Sequence, residues 1–84
     1  MSRHEISIER GKWVVGWDQP LMSFYLQFYD DLAEDDDNPT IWLGATADTT
    51  MYDIEDISRV ASKNGLRLGS QMLTTLYNDR DEGK

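Results

Sequence analysis

The chain contains no cysteine. It can therefore form no disulfide framework, no thiolate nucleophile and no cysteine-ligated zinc site. Its single histidine, His4, lies near the N-terminus, and a nucleophile–base pair would need a serine or threonine and a third, orienting group to be brought to it. Packing at the end of a strand is the simpler role for this side chain. We therefore expect a protein that is not an enzyme and that holds no cofactor.

Long apolar runs are also missing. No stretch approaches the roughly 18 apolar residues that a membrane-spanning helix needs, and residues 1–5 lack the apolar core of a signal peptide. The glycines fit neither a P-loop nor a dinucleotide-binding fingerprint. These absences predict a cytoplasmic protein that has no membrane partner.

Basic residues are absent from residues 13–58, whereas eleven of the sixteen acidic residues lie there. The formal net charge of the whole chain is −8. Such a surface would repel the phosphates of nucleic acids and the headgroups of anionic lipids. We therefore expect no direct binding to nucleic acid.

The composition that remains is that of a folded domain. Hydrophobic residues make up 39% of the chain and aromatic residues 11%, which is richer than in a disordered segment. A chain of 84 residues accommodates one domain at most. We interpret residues 1–84 as a single small acidic domain, with a frayed tail over residues 79–84.

The N-terminal residues predict a β-hairpin. Residues 5–9 alternate apolar and polar side chains, which is the period of a half-buried strand, and residues 13–17 form a second strand. A two-residue turn at residues 10–11, whose glycine can supply a positive φ, would pair Ile8 with Trp13. This register places one set of apolar side chains on a single face: Ile6, Ile8, Trp13, Val15 and Trp17.

Residues 21–29 fit either a helix or a strand. A helix capped by Asp18 would end in the acidic residues 30–35, which repel its negative C-terminal dipole. A strand would place alternate side chains on opposite faces, and the density of aromatic residues favours it. We therefore predict a strand here, followed by an acidic loop over residues 30–39 and a returning strand over residues 40–45.

Helical spacing dominates the C-terminal third of the chain. Asp53 is a plausible N-cap, and the Asn-Gly pair at residues 64–65 is a stop signal. These signals predict helices over residues 54–64 and 70–80. The fold class is then α+β, with an antiparallel four-stranded sheet over residues 5–45 followed by two helices packed on one of its faces. The apolar stripe of the second helix would consist of Met72, Leu73, Leu76 and Tyr77.

Two stretches, WVVGWDQPL over residues 13–21 and IWLG over residues 41–44, resemble an uncharacterised group of small bacterial proteins. The similarity covers most of the chain, and its motifs are structural in character. The group has no assigned activity, so the resemblance implies a small bacterial domain and assigns no functional residue.

The predicted acidic loop offers hard oxygen ligands of the kind that Ca²⁺ prefers. An EF-hand, however, needs acids at alternate positions, a glycine at the sixth position and a glutamate at the twelfth. Counted from Asp30, these two positions hold Asp35 and Ile41, so the pattern fails. A calcium-binding module stays an alternative, and we assign no metal ligand.

The second face of the predicted sheet carries aromatic side chains beside the acidic loop. Exposed rings rimmed by carboxylates suit partners that bear arginine or lysine, through cation–π contacts and charge complementarity. The same rings could instead pack under loops or form a homodimer patch. The residues that face the helices would be Phe24, Leu26, Phe28, Ile41, Leu43 and Ala45, and the partner-binding residues would be Tyr25, Tyr29, Trp42, Asp30, Asp31, Asp35, Asp36 and Asp37.

The sequence therefore favours a non-enzymatic protein-interaction domain that binds a basic partner protein. A DNA-mimicking inhibitor of a nucleic-acid-binding protein, in which carboxylates replace phosphates, is an alternative. Such a mimic should space its acids regularly over a surface, whereas six of the eleven acids in residues 13–58 lie in one loop.

Overall fold

The computed structural model describes residues 2–31, 39–45 and 50–83. The strands are antiparallel and lie in the sheet in the order in which they follow one another along the chain. The predicted α+β class, a four-stranded antiparallel sheet followed by two helices, is confirmed. The elements are β1 (His4–Ile8), β2 (Gly11–Asp18), β3 (Ser23–Asp30), β4 (Ile41–Gly44), α1 (Ile54–Lys63) and α2 (Ser70–Glu82).

The β1–β2 hairpin forms, but the predicted register is wrong by two residues. Ile8 pairs with Gly11 rather than with Trp13, so the turn consists of residues 9–10. Gly11 is the first residue of β2 rather than part of the turn, and an added Cβ there would lie 2.0 Å from the carbonyl oxygen of Tyr29. The close approach of β3, rather than the turn, is therefore what requires glycine here.

Residues 21–29, which fitted either a helix or a strand, contribute to a strand. β3 spans Ser23–Asp30 and pairs with β2 along its whole length. The chain reverses direction over residues 19–22, where Met22 adopts a φ of 51°. The preference for a strand over a helix is thus confirmed.

The main core lies between one face of the sheet and both helices. α1 packs against β3 and α2 against β2. Trp13, Val15 and Trp17 share this core with the partly buried Ile6, as predicted for the apolar face of the hairpin. Ile8, which the sequence assigns to the same set, is 41% exposed and does not join the core. No helix in the described ranges is long and apolar enough to cross a membrane. The buried residues of this core are Trp13, Val15, Trp17, Phe24, Leu26, Met51, Ile57, Ala61, Leu66, Leu68 and Leu76.

Ala45 departs from its predicted place. The sequence groups it with the side chains that face the helices, but it packs with Val14 and Tyr25 on the opposite face of the sheet. The reason is local, because Gly44 and Ala45 both adopt positive φ values and end the alternation of β4.

The C-terminal end of α2 also departs from the prediction. The expected frayed tail over residues 79–84 does not begin at residue 79, because α2 continues through Glu82. The Asp79 side chain is buried and bonds to His4, and Arg80 donates a hydrogen bond to a backbone carbonyl group. The first contact holds the last turns of the helix on β1, and the second holds them on the segment that precedes α1.

Candidate functional site

The open face of the sheet, which faces away from the helices, is more closely packed than the sequence indicates. Tyr25 is only 2% exposed, and Val14 beside it is fully buried. The Tyr25 hydroxyl donates a hydrogen bond of 2.5 Å to the carbonyl oxygen of Ser2, which lies close to Gly16. Tyr25 therefore belongs to the packing of this face and offers almost no surface to a partner, so it drops out of the predicted partner-binding set.

Tyr29 lies on the same face, and its ring already has cationic partners within the chain. The Lys12 ammonium group lies 5.4 Å from the ring centroid and the Arg3 guanidinium group 5.9 Å from it. Both cations also bond to Glu5, at 3.3 Å each. The hydrogen bonds from Lys12 and Arg3 lower the pKa of the exposed Glu5 carboxyl. This edge of the face is thus a local network of both charges, not the acidic surface that the sequence predicts.

Of the three aromatic residues that the sequence predicts for partner binding, Trp42 is the one that is exposed to solvent. It is 53% exposed on β4, at one edge of the sheet. Its indole N–H donates a hydrogen bond of 3.0 Å to the carbonyl oxygen of Gly44, which fixes the ring against its own strand. The ring therefore presents a large, oriented apolar surface at low entropic cost, as an interface anchor does.

The predicted acidic residues are only partly described. Asp30 ends β3 and is half-buried, and Asp31 is exposed just beyond it. The predicted residues Asp35, Asp36 and Asp37, and with them the alternative calcium loop, lie outside the described residues. Within the described ranges, no group of three or more histidine, cysteine, aspartate or glutamate side chains is arranged to hold a metal ion.

His4 has a defined partner that the sequence did not indicate. Its Nε2 atom lies 2.6 Å from a carboxylate oxygen of the buried Asp79. The hydroxyl group of Ser2, two residues away, accepts a hydrogen bond from the Trp17 backbone N–H. The histidine thus ties β1 to α2, which is a structural role.

A second aromatic surface lies at the end of the molecule where β2 turns into β3. The Arg80 guanidinium carbon lies over two tyrosine rings, 4.7 Å from the centroid of Tyr52 and 4.9 Å from that of Tyr77. Both tyrosines are 49% exposed. We call Tyr52, Tyr77 and Arg80 the tyrosine–arginine cluster.

The fold positions this cluster through buried contacts. The Ser23 hydroxyl accepts a hydrogen bond from the Met51 backbone N–H, and Phe24 donates one to the Met51 carbonyl oxygen. The next residue, Tyr52, then packs edge-on against Trp17 at 5.9 Å. Arg80 donates a hydrogen bond of 2.7 Å to the Tyr52 carbonyl oxygen. Tyr52 is therefore fixed to β2 and β3 through its own ring and through Met51, and Arg80 is fixed to Tyr52.

Sequence reasoning missed this cluster because it placed Tyr77 in the apolar stripe of the second helix. Tyr77 instead points away from the core, and Asp79 is buried beyond it. One signal was available, because Tyr77 and Arg80 are three residues apart and such residues are neighbours on a helix surface. Tyr52 carried no comparable signal.

Comparisons of the chain with protein-family models, with curated proteins and with solved structures found no match.

Proposed function

We propose that this domain is a non-enzymatic protein-interaction module that binds a basic partner protein, with Trp42 as its aromatic anchor. The observation that carries the proposal is the 53% exposure of Trp42 on an edge strand. Tryptophan is enriched among the residues that dominate binding energy at interfaces. Exposing so large a ring to water does nothing for the stability of the fold.

The basic character of the partner follows from charge. The net charge is −8, and six acidic residues lie within residues 30–37, at the end of β3 and between it and the strand that carries Trp42. Lysine and arginine side chains bind to aromatic faces as well as to carboxylates. The contacts of Lys12 and Arg3 with Tyr29 show the same chemistry already in use within the sheet.

The proposal is tested by the intrinsic fluorescence of tryptophan. Trp13 and Trp17 are buried and Trp42 is exposed, so contact with a ligand should change the emission of Trp42 alone. A synthetic peptide of alternating arginine and glycine should shift this emission in a saturable way, and the matching glutamate peptide should not. Trp42→Ala should remove this signal, so its affinity is measured by calorimetry, where the Kd should rise roughly thirtyfold, the equivalent of about 2 kcal/mol.

The matched control is Ile8→Ala, which shortens another exposed apolar side chain, on the opposite edge strand β1. It should leave the Kd unchanged. If Trp42→Ala binds the arginine peptide as tightly as the parent protein and keeps its fold, Trp42 is not the anchor and the proposal is wrong.

The acidic residues should act on the rate of association instead. Asp35→Asn, Asp36→Asn and Asp37→Asn together should slow association with the arginine peptide at low ionic strength, and this difference should vanish in about 1 M salt. Glu55→Gln, on α1, serves as a comparison of the same chemical change at another exposed site. An unchanged association rate for the triple variant would show that these three carboxylates do not speed the encounter with the peptide.

A further inference from the structure

We infer that the tyrosine–arginine cluster is a second binding site, which accepts an arginine side chain of a basic protein segment. The site goes beyond the proposed function because it requires no contact with Trp42. It is carried by three observations: two half-exposed rings held on an internal guanidinium group, exposed apolar residues at the same end of the molecule, and carboxylates beside the rings.

The rings are rigid and only half covered. Arg80 lies over both rings, and Tyr77 stays 49% exposed. We call the side of the Tyr77 ring away from Arg80 its outer face. Arg80 itself is held by the Tyr52 carbonyl oxygen at 2.7 Å and by a carboxylate oxygen of Asp53 at 3.9 Å. The Tyr77 ring therefore rests on an Arg80 side chain that is already ordered. Binding at the outer face of the ring then requires little further ordering of the protein.

Apolar surface continues from the cluster towards the β2–β3 turn. Leu21 and Met22 in that turn are 51% and 44% exposed. The end of α2 lies against the same turn, because a Cβ added at Gly83 would meet the Gln19 side chain at 3.5 Å. Four of the six large hydrophobic residues that are exposed in the described ranges thus belong to one end of the molecule: Leu21, Met22, Tyr52 and Tyr77.

Two features of Met22, its backbone conformation and the exposure of its side chain, are energetically unfavourable in the isolated domain. Its φ of 51° lies in the left-handed region, which costs a residue other than glycine conformational energy, and its side chain is half exposed to water. Backbone outliers of this kind concentrate at functional sites. The reversal of the chain between β2 and β3, closed by a hydrogen bond from the Met22 N–H to the Gln19 carbonyl oxygen, accounts for the φ. The exposed side chain remains as apolar surface that a partner could cover.

Carboxylates beside the rings select a cation as the ligand. The Asp53 side chain is 73% exposed next to Tyr52. Asp81 is exposed and lies four residues after Tyr77 on α2, so the two side chains are neighbours on the helix surface. A guanidinium group stacked on the outer face of Tyr77 would meet the Asp81 carboxylate while its planar surface covers the ring.

An anionic ligand fits this site less well. The Arg80 side chain is only 17% exposed and already bonds to a carbonyl oxygen. An anion approaching it would pass the exposed carboxylates of Asp53 and Asp81 and would meet the negative faces of the rings. We therefore assign an arginine side chain, and not an anion, as the ligand of this site.

The test is a titration of the ¹⁵N-labelled protein followed by the amide shifts of α2. The probes are three short peptides that differ only in one residue type: arginine, lysine or neutral citrulline. The arginine peptide should move the amide signals of Tyr77 and Asp81 most, and the citrulline peptide least. Tyr77→Ala should raise the Kd of the arginine peptide at this site roughly two- to fivefold.

Two further variants separate stacking from structure. Tyr77→Leu keeps an apolar side chain but removes the π face, so it should weaken arginine binding as Tyr77→Ala does. Gln71→Ala, at an exposed position in the first turn of the same helix, should change nothing. Asp81→Asn should weaken binding at about 0.01 M salt and have little effect at about 1 M.

Several outcomes would overturn the inference. Equal shifts with the citrulline peptide would show that charge plays no part, and an unchanged Kd in Tyr77→Leu would show that the ring plays none. Saturable shifts at Tyr77 with a glutamate peptide would identify an anion site instead. Trp42→Ala distinguishes this inference from the proposed function. If the variant loses the fluorescence response but keeps the amide shifts at Tyr77, the two sites bind independently of each other.

Discussion

Trp17 and Trp42 carry the same side chain in opposite surroundings. Trp17 has no exposed surface and contacts the rings of Phe24 and Tyr52. Removing a buried aromatic side chain of this size costs about 3–5 kcal/mol, whereas small domains are stable by only about 5 kcal/mol or slightly more. Trp17→Ala should therefore leave the domain nearly unfolded at room temperature, as measured by urea denaturation.

Trp42→Ala is the matched control for this experiment. Its ring is 53% exposed, so its removal should change the midpoint of the urea transition by little. Equal midpoints for the two alanine variants would contradict the placement of Trp17 in the core.

Tyr25 should make the stability of the domain sensitive to alkaline pH. Burial raises the pKa of its hydroxyl above the ordinary value of about 10. A group whose pKa is raised on folding stabilises the folded state fully below its unfolded pKa, and this stabilisation is lost as the pH rises through the folded pKa. The free energy of unfolding should thus fall above about pH 10, and Tyr25→Phe should reduce that fall.

Urea titrations at neutral and alkaline pH measure this effect. Tyr77→Phe is the control. It removes the same hydroxyl group, but from a tyrosine that is half exposed at the surface. A pH dependence that is identical in the parent and in Tyr25→Phe would assign the alkaline loss to other groups.

The sequence could predict the face of each aromatic residue of the sheet but not its exposure. A period of two places Tyr25, Tyr29 and Trp42 together, and the pairing of β3 with β4 agrees with this. What covers Tyr25 is Ser2, and what covers Tyr29 is Arg3 and Lys12. These contacts cross strands, and no local pattern of residues specifies them.

The hairpin shows the same limit at the scale of the elements. Both the predicted and the observed registers keep Trp13 and Ile6 on one face, because they differ by an even number of residues. Apolar patterning therefore could not distinguish them. The deciding contact is the approach of the Tyr29 carbonyl oxygen to Gly11, which belongs to the neighbouring strand.

The pair of His4 and Asp79 should account for the docking of the end of α2 on β1. His4→Ala leaves a carboxylate with 6% exposure and without this partner, and losing a hydrogen bond to a charged group costs about 1.5–3 kcal/mol. Thermal unfolding should then occur roughly 6–24 °C lower. Hydrogen exchange should rise most in the last turn of α2.

Asp81→Asn is the comparison, because Asp81 lies on the same turn of α2 but is exposed. Its melting temperature should stay close to that of the parent. A His4→Ala variant that melts with the parent would show that the contact of 2.6 Å adds nothing to stability.

At the scale of the whole molecule, charge should exclude nucleic acids as direct ligands. The net charge is −8, and several of the cations are engaged within the chain. Arg59 bonds to Asp56 at 2.7 Å, and Arg3 and Lys12 both bond to Glu5. Three of the eight basic residues are thus already paired with carboxylates, which weakens the neutralisation of phosphates that supplies most of the affinity in non-specific binding.

A gel-shift assay with duplex DNA and with single-stranded RNA should show no retained complex at physiological salt. The triple variant Asp35→Asn, Asp36→Asn and Asp37→Asn tests whether charge is the reason, since it should bind more than the parent at low salt. A shift by the parent that persists at physiological salt would point to a basic patch around Arg59, Lys63 and Arg67.

β2 is a central strand of the sheet and has a neighbouring strand on each side. It is hydrogen-bonded to β1 on one side and to all of β3 on the other, and Val14, Val15 and Trp17 within it have no exposed surface. Each backbone N–H of a strand points towards one neighbour only, so the β2 amides that bond to β3 are exposed only when these two central strands separate. Their exchange with deuterium therefore follows the opening of the entire domain, while the amides on the side of the edge strand β1, like those of β4, exchange through fraying of the edge.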